Sequence, residues 1–286
     1  MTQEEIVNKL IAAYETPKFE SLIERFSSDY SSETINLLFN HVFKDYHSNG
    51  QDALNKARIA GSVSQYLESD EFKAVVFWMK GMAYDSLGQY ENALSSYQQA
   101  EEYYQSVNDK LRVAGLQINQ MIILGNMGQY KEAIVLGENA LPIVVEDKSK
   151  KAQHYLANLQ IQFGHCYGYI GKNHEAYNAY EDAGQVLREI GYPENASVID
   201  QNRAIVLRNM QRFDEAHHIL QSARKTLSKA GWEQEVARVD LNLGVLSYMR
   251  GHFQASLNFF AAAYDGFSRI PQTSEMAIVD LYRSFV

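Results

Sequence analysis

Leu87-Gly88-Gln89-Tyr90 is the stretch from which the fold can be read, because its pattern returns four more times along the chain. The later copies are Met127-Gly128-Gln129-Tyr130, Ile170-Gly171-Lys172-Asn173, Met210-Gln211-Arg212-Phe213 and Arg250-Gly251-His252-Phe253. With positions 88, 128, 171, 211 and 251 taken as anchors, the spacings are 40, 43, 40 and 40 residues. A period of this size signals a stacked repeat architecture, in which no unit can bury its apolar face alone.

The surroundings of each anchor repeat as well. Five residues on stand Ala93, Ala133, Ala176, Ala216 and Ser256, and twelve residues on stand Ala100, Ala140, Ala183, Ala223 and Ala263. Seven residues before the anchors come Gly81, Met121, Gly164, Ala204 and Gly244. Small residues are needed where two helices cross closely. Glycine at the anchor has another cause, since it ends a helix in the left-handed conformation and lets the chain reverse. Gln211 departs from this rule, which predicts a strained or differently shaped turn.

Each unit therefore holds two amphipathic helices, A before the anchor and B after it. In the first, helix A is predicted over 72–87, with Phe77, Gly81, Tyr84 and Leu87 on one face at three- and four-residue steps. Helix B follows from Tyr90, and Ala93, Tyr97 and Ala100 form its inward face.

The small crossing residues, the aromatic two places after most anchors and the paired alanines of helix B resemble the tetratricopeptide repeat over residues 34–286. The resemblance implies an all-α fold, a right-handed α-solenoid of stacked hairpins in a curved array with the A helices inside. The 40-residue period and the absence of a proline closing helix B depart from the usual 34-residue form, so the helices or the links must be longer. The long period is more similar to a subgroup that includes kinesin light chains, peptide-sensing bacterial regulators and the repeat regions of CHAT-type caspase-like proteins.

The ends extend the pattern. Residues 1–32 read as two capping helices, one opened by a Thr2/Glu5 capping box and one by Thr16 with Pro17 in its first turn. Residues 33–70 read as a degenerate hairpin with helix A over 33–46, and 71–275 as the five repeats. Residues 276–286 match the start of a further helix A with Ser284 in the small position, which reads either as a final solvating helix or as a repeat cut short with an effector domain beyond it.

Composition narrows the function classes. A net charge of −9, with no basic run longer than Lys148-Ser149-Lys150-Lys151, argues against nucleic acid. No apolar run reaches the roughly 20 residues of a membrane helix. The single cysteine, Cys166, and the acidic start Met1-Thr2-Gln3-Glu4-Glu5 suit a cytoplasmic protein, and the resemblance to peptide-sensing bacterial regulators implies a bacterial one.

Chemical motifs give little. Gly164-His165-Cys166-Tyr167-Gly168 spells a nucleophile elbow, but it falls inside a helix A, where Cys166 shares its column with Ala83, Ile123, Val206 and Leu246. Adjacent His217 and His218 point about 100° apart on a helix, and His165 and His174 sit on different helices, so no metal site is read. No strand or Walker lysine accompanies Gly164, Gly168 and Gly171. The expectation is a non-enzyme without cofactor.

What remains is the groove face of the A helices. Ten and six places before the anchors stand Trp78, Ile118, Ile161, Gln201 and Leu241, then Met82, Ile122, His165, Ile205 and Val245. Nearer the turns come Asp85, Asn126, Tyr169, Arg208, Asn209, Tyr248 and Met249. An apolar channel edged with amides and aromatics suits a peptide or a helix. Several of these side chains could instead pack between neighbouring A helices. Asn119, Gln162, Asn202 and Asn242 stand nine places before their anchors. The resemblance implies that such amides read a peptide backbone; tying adjacent helices together is the alternative. Arg208 and Arg238 are too few for a carboxylate clamp. The expected partner is a protein or peptide, an intramolecular effector domain, or a second copy of the chain.

Overall fold

The structure is a computed structural model that describes residues 1–269 and 273–286. Among these residues there are fifteen α-helices, one short 3-10 helix and no strand. The fold is an α-solenoid of helical hairpins, and the chain divides into two compact units, Met1–Ile143 and Val144–Val286.

The first unit begins with α1 (Gln3–Ala13), α2 (Phe19–Arg25) and a 3-10 turn, Ser27–Asp29. Thr2 caps α1 through its hydroxyl, and Glu5 returns the bond to the Thr2 backbone, as the sequence predicts. The second cap differs. Thr16 spends its hydroxyl on the Ala13 carbonyl at 2.6 Å, so Pro17 lies in the turn and α2 opens only at Phe19. The unit continues with α3 (Ser32–Asp45), α4 (Gly50–Ser64), α5 (Asp70–Ser86), α6 (Tyr90–Ser106), α7 (Lys110–Asn126) and most of α8 (Tyr130–Glu146).

The second unit holds α9 (Lys150–Tyr169), α10 (Asn173–Glu189), α11 (Pro193–Asn209), α12 (Phe213–Ala230), α13 (Glu233–Met249), α14 (Phe253–Arg269) and α15 (Thr273–Arg283). α15 starts before position 276 and stops before Ser284, which is exposed rather than at a helix crossing. Residues 270–272, at the end of the fifth predicted repeat, lie outside the described ones.

The long period resides in the helices. Most are 17 residues long and alternate with three-residue turns, which gives 40 residues per hairpin. The single spacing of 43 arises because α9 has 20 residues. The turns are alike in detail. The third residue past the end of each A helix donates back into its last turn: Gln89 to Tyr84, Gln129 to Leu124, Lys172 to Tyr167, Arg212 to Leu207 and His252 to Ser247, at 2.8 to 2.9 Å.

That closure needs a left-handed residue at the anchor. Gly88, Gly128, Gly171 and Gly251 take φ between 68° and 77°, and Gln211 takes 61°. The Gln211 turn is thus strained, not reshaped, because the side chain adopts the glycine conformation at a cost.

Inside each hairpin, an omission on helix A is filled from helix B. A Cβ added to Gly81, Gly164 or Gly244 would lie within 3.0 Å of the ring of Tyr97, Tyr180 or Phe260 respectively. Each ring stands nine residues after the anchor and is buried. The other two hairpins trade size at the same pair of positions. Met121 on helix A matches Gly137 on helix B, and Ala204 matches Leu220, all four buried.

Two outcomes follow for urea or thermal denaturation. Gln211→Gly should stabilise by about 0.5–1 kcal/mol, because the left-handed penalty outweighs the added chain entropy. Gly244→Ala should destabilise by about 1–3 kcal/mol through overpacking, and most of that loss should vanish when Phe260→Leu is combined with it.

Candidate functional site

The outward side of each A helix is a stripe at three- and four-residue steps. On α9 it runs Asn158, Gln162, His165, Tyr169; on α11 Asn195, Val198, Asn202, Ile205, Asn209; on α13 Glu235, Arg238, Asn242, Val245, Met249. The last member of each stripe, next to the turn, is exposed in all three helices, and Tyr169 reaches 73%. All three helices belong to the second unit, and their stripes lie on one face of it.

Most predicted groove residues are only half-buried, and four, Met82, Ile118, Gln201 and Val245, are buried. Met82 and Ile118 are 6% and 3% exposed. Met82 joins the first unit's core cluster with Met79 and Ala83. Ile118 stands ten places before its anchor, and that column turns into the seam between neighbouring A helices. Gln201, in the same column, shows the geometry: it is buried, donates to Glu235 of α13 at 3.2 Å and accepts from Asn242. Val245 is buried as well. Trp78 is half-buried, edge-on to Phe39 of α3 at 6.1 Å and to Tyr104 of α6 at 6.5 Å. Asn119, Ile122 and Ile161 are half-buried on α7 and α9.

The amide column divides. Asn242 donates to Gln201 at 3.5 Å, so it ties α13 to α11. Asn119, Gln162 and Asn202 have no side-chain hydrogen bond among the described residues. The same holds for Asn158, Asn195 and Asn209, which lie on the stripes of α9 and α11. Asn158 and Asn195 were not among the predicted residues. Their signal was available in the three- and four-residue spacing back from Gln162 and Asn202, outside the columns nearest the turns.

The charged members are mostly neutralised. Arg238 pairs with Glu235 at 3.3 Å and with Glu275 of α15 at 3.6 Å. Arg208 is half-buried and has no ion pair or hydrogen bond among the described residues. Beneath the face, Asp240 accepts two bonds from Arg224 of α12, at 2.6 and 3.0 Å, and buried Asp200 is held by Arg188 and Arg203. His165 lies edge-on to Tyr180, and burial lowers its pKa, which keeps the imidazole neutral near pH 7.

Cys166 faces inward, and burial lifts its thiol to about 11, the opposite of an activated nucleophile. No group of three or more His, Cys, Asp or Glu among the described residues could hold a metal ion. No described helix is long and apolar enough to cross a membrane.

These hairpins, with their close crossings and left-handed turns, have counterparts among known proteins. A tetratricopeptide-repeat family model matches residues 74–106. That span covers α5 and α6 almost entirely. No curated protein sequence matches the chain. Solved structures do. The tetratricopeptide repeat sensor protein of Pyrococcus horikoshii, a signal transduction ATPase with numerous domains, superposes with a TM-score of 0.71 at 15% identity. That match covers 99% of this chain and 43% of the other, so the chain spans less than half of that relative. The apo form of RapI gives 0.65 at 15% identity over 87% of this chain and 95% of its own. NprR in complex with its cognate peptide NprX gives 0.54 at 16% identity over 99% and 82%. At these identities the likeness is one of fold.

For the thiol, a maleimide or iodoacetamide time course should show Cys166 reacting at least about a hundredfold more slowly in the native chain than in urea. Comparable rates in the two states would place the thiol at the surface.

Proposed function

We propose that this chain is a protein- or peptide-binding scaffold or sensor module, and that its second unit captures an extended segment across α9, α11 and α13. The observation that carries the reading is the set of uncommitted amides on the outward stripes of α9 and α11. A carboxamide donates and accepts at once, so a row of them can follow a peptide backbone with little regard to its side chains. Gln162 and Asn202 would hold that backbone; Asn119 is the corresponding amide within the first unit. Half-buried Ile161, Ile205 and neutral His165 would take the apolar side chains, and exposed Tyr169 would flank them. Met82 and Ile118 drop out of the contact set and support it from behind.

The peptide complex of NprR shares this fold and supports the reading without identifying a ligand. The likeness to a sensor within a multidomain ATPase supports a finer version, in which these repeats regulate an attached effector, a CHAT-type caspase-like domain being one form. In either version the setting would be the bacterial cytoplasm and the role binding rather than catalysis.

A second reading rests on α15. Ile278 and Leu281 of α15, with Phe285 just past its end, are 44%, 56% and 57% exposed, while Val279 is buried. Self-assembly through this helix would cover the exposed three. Sedimentation equilibrium separates the two: a mass that rises with concentration and falls to the monomer in Leu281→Asp supports assembly.

For groove capture the decisive pair is Asn202→Ala beside Asn242→Ala, each assayed by pull-down and by thermal melting. Asn202→Ala should weaken capture with an unchanged melting temperature, because its amide holds nothing in the protein itself. Asn242→Ala should lower both, by about 0.5–1.5 kcal/mol in stability, since it breaks the tie to Gln201. A pull-down indifferent to Asn202→Ala would overturn the proposed face.

A further inference from the structure

Resting on groove capture by the second unit, we propose that the bound segment carries a carboxylate, and that Arg208 is the residue that reads it. The case begins with the charges on the outward face. The stripe of α9 carries no formal charge. On α13, Arg238 is matched by Glu235 and Glu275. On α11, Arg203 is matched by Asp200 at 3.3 Å and Glu181 at 3.5 Å. Arg208 alone among these arginines has no opposite charge within reach among the described residues.

Its position explains why nothing in the unit neutralises it. Arg208 stands seven residues after Gln201, two helical turns on, and therefore on the side of α11 that faces α13. Gln201 meets Asn242 and Glu235 there. Moving both helices on by two turns brings Arg208 to the level of Met249 and Asn242, neither of them acidic. In the equivalent place on α9 stands Gly168, and a Cβ built on it would meet no atom within 4 Å. Toward α13 the guanidinium thus has only neutral neighbours.

Half-burial makes this arrangement selective. A partly dehydrated guanidinium gains more from a charge-assisted bond than one in bulk water, and its planar fork can donate to both oxygens of a carboxylate. Asn202 and Asn209 flank it along the helix and would hold the backbone on either side. A carboxylate reaches such a site either as a peptide C-terminus or as an Asp or Glu side chain.

The test is selection of a random octapeptide library, displayed with free C-termini, on the intact chain. Binders that depend on Asn202 should share an Asp or Glu at a fixed place, or should lose affinity when resynthesised as C-terminal amides; the second result identifies the terminus as the source. Arg208→Gln should weaken them at least about tenfold with an unchanged melting temperature, as expected for loss of one charge-assisted bond. Arg208→Glu should redirect the selection to Lys and Arg. Binders that need Asn202 and ignore Arg208→Gln would overturn the carboxylate anchor and leave groove capture standing. A library that yields no Asn202-dependent binder would overturn both.

Discussion

Where helix A meets helix B, the side chain nine places after each anchor has room only because the residue seven places before it gives way. Gly81 under Tyr97, Gly164 under Tyr180 and Gly244 under Phe260 state the rule, and Met121 with Gly137 states it in reverse. The pair sets the separation and the rotation of the two helices together. Once rotation is set, the residues that face the neighbouring hairpin and the residues that face solvent are also set. The amide stripes of α9 and α11 point outward because the glycines and alanines on their other sides must point in.

Buried charge adds a second constraint in the second unit. Asp200 and Asp240 stand eleven places before their anchors and are each gripped by an arginine from the preceding helix B. Such pairs recover much of what desolvation costs and little more, so their effect lies in rejecting other registers. Arg188 and Arg224 can reach their partners only when successive hairpins stack in step.

The repeat, the helix boundaries and the small crossing residues were legible in the sequence because each is enforced in every unit. Helix A of the first full repeat was read over 72–87 and is found at Asp70–Ser86. The size exchange across the hairpin is not legible from either helix alone, because which helix B residue meets the small position of helix A is set only when the two pack. The candidate face was less legible. A column ten places before the anchor looks solvent-facing on a helical wheel, yet Ile118 and Gln201 lie in a seam. A wheel shows direction from one axis and contains no neighbouring helix. Likewise, nothing in the sequence distinguishes Asn242, which is bonded, from Asn202, which is not; that depends on whether Gln201 stands across from it.

The turns have a mechanical consequence. From α9 to α14 every link is two or three residues long, and each is locked by a bond that spans it. Such links cannot swing, so this stretch contains no hinge. Strain introduced by an occupant would have to spread as small slides between many packed helices, each moving a fraction of an ångström. Motion within this stretch would then be shear between packed helices and not rotation about a link.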